Sequence, residues 1–146
     1  MTATLAKETI ALKVLKHTEQ LCEALKDDFK RYSIKSHFAS IARAIQEGDN
    51  QSTIDYHNRC VDDIKDEIGI YQYVIESGRK YHKIIMIDSS GSRSVHAFVD
   101  RMTGEVYKSA SWKSPAKGVR YNLLIISSRE ECLMRADWAG SYLYAR

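Results

Sequence analysis

Gly69-Ile70-Tyr71-Gln72-Tyr73-Val74-Ile75-Glu76-Ser77-Gly78-Arg79-Lys80-Tyr81-His82-Lys83-Ile84-Ile85-Met86-Ile87-Asp88 is where the chain changes rhythm. Upstream, apolar residues recur in steps of three and four. From Ile70 the stretch is rich in Tyr, Val and Ile, which suit a pleated surface. From Lys80 it alternates, with Tyr81, Lys83, Ile85 and Ile87 on one side and His82, Ile84 and Met86 on the other. Glu76-Ser77-Gly78-Arg79 supplies the turn between the two runs. The reading is two antiparallel strands, with helices before them and more strands after.

Downstream, Ser89-Ser90-Gly91-Ser92 is a loop and Ser94–Val99 a further strand. Asp100-Arg101-Met102-Thr103-Gly104 carries glycine where a positive φ is needed, so Val95–Val99 and Glu105–Ala110 are predicted to form a hairpin. Ser111–Gly118 reads as loop around Pro115, which has no N–H for a ladder. Tyr121–Ile126 reads as a last buried strand. A helix is expected from Ser127 or Ser128 to about Ala136, then an aromatic tail, Trp138–Tyr144, that packs on its own domain or on a neighbour.

Upstream, Ile10, Val14, His17, Leu21, Leu25 and Phe29 share one helical face. A second helix is expected after Tyr32-Ser33, with Ile34, Phe38, Ile41 and Ile45, ending at Gly48. Ser52-Thr53-Ile54-Asp55 has capping-box spacing, and Ile54, His57, Val61, Ile64 and Ile68 give a third stripe ending at Gly69. The expected fold class is α+β: N-terminal helices over residues 1–69, then a small, strongly bent antiparallel five-stranded sheet over 70–146. Such a sheet must close, be covered or pair with a neighbour, and edge pairing around a homo-oligomeric ring is one route.

The bulk composition excludes several classes. The 146 residues are 44% hydrophobic and 28% charged, as in ordinary globular chains. No apolar run reaches the roughly 20 residues of a membrane span, and no signal peptide is evident. Three widely spaced cysteines, Cys22, Cys60 and Cys132, suit free thiols in a reducing cytoplasm. Charge is unevenly placed: residues 1–78 carry ten Lys/Arg and thirteen Asp/Glu, net −3, and residues 79–146 carry twelve and six, net +6. The second region is suited to an anionic partner.

Within it, Val106–Arg129 contains five basic residues and no carboxylate. Lys108, Lys113, Lys117 and Arg120 are the expected phosphate contacts. Trp112 and Tyr121 are the expected stacking platforms for bases. Here too, the competing reading is that the aromatics are core and the lysines merely solvated.

Other constellations are weaker. His57 and Cys60, three apart, lack a second ligand pair, and His82 and His96 lie on neighbouring strands. The carboxylates Asp62, Asp63, Asp66 and Glu67 of the third helix would need Glu19, Glu23, Asp27 or Asp28 of the first to hold magnesium. No nucleophile elbow, P-loop or dinucleotide fingerprint occurs. We expect no catalytic residue, no metal site and no cofactor.

Three segments carry a resemblance: Ser94-Val95-His96-Ala97-Phe98-Val99-Asp100; Thr103-Gly104-Glu105-Val106-Tyr107-Lys108; and Ala110-Ser111-Trp112-Lys113-Ser114-Pro115-Ala116-Lys117-Gly118-Val119-Arg120-Tyr121-Asn122-Leu123. Together they resemble a block in small, cyanophage-like proteins of marine viruses, a family with no assigned function. The resemblance covers about residues 70–144 and continues weakly into Asp137–Tyr142. One member of that family looks like the Sm/LSm fold, a bent five-stranded barrel that forms rings. The resemblance therefore implies an Sm-like barrel, a homo-oligomer, RNA binding and a place in a host cell's cytoplasm. The residue signatures by which ordinary Sm proteins hold uridine are not seen. The expected function is non-catalytic binding of single-stranded nucleic acid, RNA above all. The alternatives are capture of a small phosphorylated nucleotide or a host protein, and magnesium-dependent nucleotide hydrolysis.

Overall fold

The computed structural model describes residues 3–48 and 51–144. It is an α+β fold in which α1 (Ala3–Gln46) and α2 (Gln51–Lys65) precede β1 (Gln72–Ser77), β2 (Tyr81–Ile87), β3 (Arg93–Asp100), β4 (Glu105–Lys108) and β5 (Tyr121–Asn122). α3 (Ile126–Arg135) and a short 3-10 turn (Ser141–Leu143) complete it.

The expected break at Tyr32-Ser33 is not there: α1 is one helix of 44 residues. Neither residue breaks a helix, since Ser and Tyr carry only a small propensity cost. What changes is the phase of the apolar stripe. Ile34 follows Leu25 by nine residues, which turns the stripe by about 180°. The first half of α1 buries Val14, Leu21 and Leu25 in the main core. The second half packs against α2, where Ala44, Val61 and Ile64 are buried and Phe38 and Ile45 remain exposed. α2 spans Gln51–Lys65, with Ser52 in its first turn.

α2 closes with the hydrogen bonds of a Schellman motif, from Glu67 N–H to Ile64 O (3.0 Å) and Ile68 N–H to Asp63 O (2.8 Å). The left-handed residue there is Glu67, with φ 59°. Its carboxylate pairs with Lys26 (3.0 Å) and Lys30 (3.5 Å), which ties the end of α2 to α1.

The sheet is an antiparallel meander in the order β1-β2-β3-β4-β5. β1 and β5 do not pair, so the sheet is open. The expected closure into an Sm-like barrel is corrected: β5 has only two residues and pairs with β4 alone. The expected strand over Tyr121–Ile126 stops early because Asn122 ends it. The Asn122 side-chain oxygen accepts from Leu124 N–H (2.9 Å), and Ser128 Oγ accepts from Asn122 N–H (2.8 Å). α3 then starts at Ile126, and Ile125 and Ile126 are exposed rather than buried.

One bulge shapes β3. Ile84 faces Ala97 and Ile85 faces Val95, which leaves His96 as the extra residue. The β3–β4 hairpin turns where Asp100 Oδ1 accepts from Met102 N–H (2.9 Å) and Thr103 N–H (3.0 Å). Gly104 follows with φ 75°, and a Cβ there would lie 3.0 Å from Leu124 Cγ and 3.1 Å from Leu124 N.

A single core joins α1 to the sheet, α3 and the C-terminal segment. Val14, Leu21, Ile84, Val106, Cys132 and Leu143 belong to one cluster, so packing crosses the expected boundary at residue 69/70. The aromatic tail is held by its own chain. Trp138 N–H donates to Asp28 Oδ2 (2.9 Å), and Tyr142 OH meets His96 Nε2 at 2.8 Å. Asp137 caps the tail. Burial acts to raise its pKa, but hydrogen bonds from Ser141, Tyr142 and Gly140 outweigh that and lower it.

Candidate nucleic-acid interface

After β4 the chain makes a narrow finger. Ser109 bridges to Pro115, and Ala110 and Ser111 both donate backbone N–H groups to Ser114 O (2.9 and 3.1 Å). Trp112 and Lys113 sit at its tip. A finger this short has no room to bury a large side chain within itself, and Trp112 is 44% exposed.

The finger leans over the sheet face opposite α1. Cross-strand register on that face aligns Glu76, Lys83, Phe98 and Tyr107 in one row. The Lys83 ammonium lies 4.8 Å from the Trp112 ring centre and 5.8 Å from that of Phe98. Lys80 lies over Tyr81 at 5.4 Å, and Tyr81 meets Phe98 and Tyr107 edge-on at 5.7 and 6.1 Å. A cleft of about 200 Å³ opens here, with Arg79, Lys80, Lys83 and Lys113 around it. None of the four forms an ion pair among the described residues. The cleft's one carboxylate, Glu76, is paired with Arg93 at 3.6 Å. Four cations beside one acid that is itself paired make this a positively charged surface.

The other expected contacts lie elsewhere. Lys108 reaches over Tyr144 (4.9 Å) in a separate hollow of about 170 Å³ beside His96. Lys117, Arg120 and Tyr121 line a third, wider hollow with Arg135 and Glu131. Arg120 is occupied there. It donates to Leu143 O (2.6 Å), Lys117 O (3.0 Å) and Gly118 O (2.6 Å). The Tyr121 hydroxyl donates to Tyr142 O (3.1 Å), and its ring packs on the core. Both residues fasten the C-terminal segment to β5. Arg129 has a similar task, donating to Leu123 O (2.9 Å) and meeting His17 at 3.2 Å.

Thus Lys113 shares a cleft with Arg79, Lys80 and Lys83, and Trp112 stands beside it over Lys83, a grouping that reading the basic segment by itself missed. The signal for them was the alternation in β2 that puts Tyr81 and Lys83 on one side. The strand pairing that brings this side under the finger is not local information.

Among the described residues, no three or more His, Cys, Asp or Glu converge to hold a metal. Asp28 and Glu67, two of the carboxylates considered for magnesium, hold Trp138 N–H and two lysines instead. His82 is bonded to Ser77 Oγ (2.7 Å) and faces Val99, not His96. The thiols of Cys22 and Cys132 are pushed up to about 12, chiefly by burial, which makes them unreactive. No helix among the described residues is long and apolar enough to cross a membrane.

These features define a small α+β protein whose open meander sheet carries a basic-aromatic finger on the face away from its long helix. The chain belongs to DUF7717, a family of unknown function whose model matches residues 1–145. No curated protein and no solved structure matches the chain.

Proposed function

We propose that this protein binds single-stranded nucleic acid, without catalysis, through the Trp112 finger and the cations around it. One observation carries the reading: the indole of Trp112 is open to solvent above Lys83, beside cations that form no ion pair among the described residues. A base stacked on an exposed ring gains on the order of 1–3 kcal/mol, and the flanking lysines meet its phosphates. Only an unpaired base can offer its face to the indole, so single strands are favoured over duplexes. RNA, with its unstacked loops and ends, is the expected form. Lys108, Lys117, Arg120 and Tyr121 lie outside this cleft, and of them Lys108 and Lys117 serve as outlying phosphate contacts.

The cleft's volume favours one second reading. A hollow of about 200 Å³ takes one small charged group, such as the phosphate end of a nucleotide, rather than a long tract, so capture of a small phosphorylated nucleotide belongs to the same chemistry. Viral origin, a place in a host cytoplasm and assembly into a ring are parts of the proposal carried by the resemblance of residues 94–123. The outer edge of β1, which has no strand neighbour among the described residues, is where such an assembly would pair.

Fluorescence anisotropy with labelled single-stranded RNA, single-stranded DNA, duplex and free nucleotides tests both readings. Preference for single strands supports the first; a thermal shift with a nucleotide and none with an oligomer supports the second. Absence of binding to all four at low salt rejects both. Light scattering tests the assembly, and a monomer at micromolar concentration removes it.

A further inference from the structure

α1 and α2 form a hairpin beyond the main core, and its helix–helix contact buries little: Ala44, Val61 and Ile64. In the middle of that contact two imidazoles face each other. His37 Nδ1 lies 2.9 Å from His57 Nδ1, with ring centres 5.1 Å apart and planes at 50°. Both residues are half-buried. Tyr56 packs edge-on against His57 at 5.1 Å.

At this distance the N–H of one ring can donate to the lone pair of the other, so both rings aim a nitrogen at the same narrow gap. A proton or a metal ion can fill that place. Among the described residues, neither ring forms an ion pair with a carboxylate that would hold it protonated.

The distance selects among metals. With each nitrogen about 2.0 Å from the ion, a 2.9 Å separation subtends an angle of about 90° at the metal. That is the angle of square-planar or tetragonal copper(II) and nickel(II). Tetrahedral zinc needs the nitrogens roughly 3.3 Å apart, so the helices would have to part slightly.

We propose that His37 and His57 form a two-imidazole clip for a first-row transition-metal dication of the copper(II) or nickel(II) type, with water in the remaining positions, and that the clip cross-links α1 to α2. The site is independent of the nucleic-acid cleft. It binds the metal without any redox step.

The test uses the full chain with Cys60→Ser, which keeps that thiol out of the count. Copper(II) is added to the metal-free protein and followed by calorimetry and electron paramagnetic resonance. The expected result is saturation at one equivalent, with superhyperfine splitting from two nitrogens and a higher Tm. His37→Gln and His57→Gln should each weaken binding roughly tenfold or more, at least the loss that removing a supporting contact produces. His17→Gln should leave it unchanged. A spectrum with one nitrogen or none overturns the proposal, and this readout does not depend on the variants folding. Binding that survives both His37→Gln and His57→Gln also overturns it and leaves the contact as a shared proton.

Discussion

The ammonium of Lys83, from the second strand, stands 4.8 Å from the centre of the Trp112 ring at the finger tip. This contact joins two segments 29 positions apart in the chain. It sets the finger over the sheet and leaves 44% of the Trp112 surface for a ligand. Trp112→Ala is expected to weaken binding of a single-stranded oligonucleotide by about 5- to 150-fold, the equivalent of one lost stack. Lys83→Met, which keeps the stem and removes the charge, should weaken it less. Equilibrium anisotropy measures both, and an unchanged affinity in Trp112→Ala would remove the ring from the site.

Lys80 and Lys113 contribute charge without an ion-pair partner among the described residues. Replacing either by Ala should reduce the slope of log K against log salt by about 0.7, the value for one phosphate contact on a single strand. A full salt series for each variant checks this.

Arg120 behaves differently, since its guanidinium is spent on three backbone carbonyls. Arg120→Ala leaves these acceptors unsatisfied and frees the C-terminal segment from β5. We expect a lower Tm with a smaller change in oligonucleotide affinity than Lys113→Ala gives. Calorimetry and anisotropy on the same sample separate the two effects.

Acid should destabilise the fold through its enclosed histidines. Burial pushes His96 down to about 4, although Asp137 acts the other way. Burial and the nearby Arg101 lower His82. Unfolded histidine titrates near pH 6.5, so below that the unfolded chain binds protons that the folded one refuses. Stability rises with pH in this window: it is fully present above about pH 6.5 and is lost as pH falls towards about 4. Urea midpoints across this range should decline, and a flat profile would contradict the assignment.

Gly104 is required twice, by its φ of 75° and by the 3.1 Å approach of Leu124 N to any added Cβ. Gly104→Ala should lower Tm by several degrees, since the neighbour it strikes includes backbone. Glu67→Gly should do the opposite or nothing. It relaxes a left-handed φ of 59°, and the two lysine pairs it gives up have a half-exposed carboxylate, so they hold little energy. Thermal melts of both variants check the contrast.

The strands were legible because β2 alternates and Gly104 marks its turn. The helices were half legible. The stripe through Val14, Leu21 and Leu25 was visible, but its shift of phase at Ile34 looks the same whether a helix ends or changes partner. The apolar run Tyr121–Ile126 misled because Asn122 and Ser128, both polar, decide where the strand stops. Half of the candidate site was readable, since Trp112 and Lys113 lie in one segment. Lys80 and Lys83 join them only through strand pairing, and Arg120 and Tyr121 leave through contacts to a tail 21 to 23 residues away.

The most direct measurement is the affinity of the wild-type chain for a labelled single-stranded RNA at low and at physiological salt, beside the double variant Lys80→Ala/Lys113→Ala. The account predicts binding that weakens steeply as salt rises, with a shallower dependence in the variant. Binding that ignores salt, or is identical in the two proteins, would contradict it.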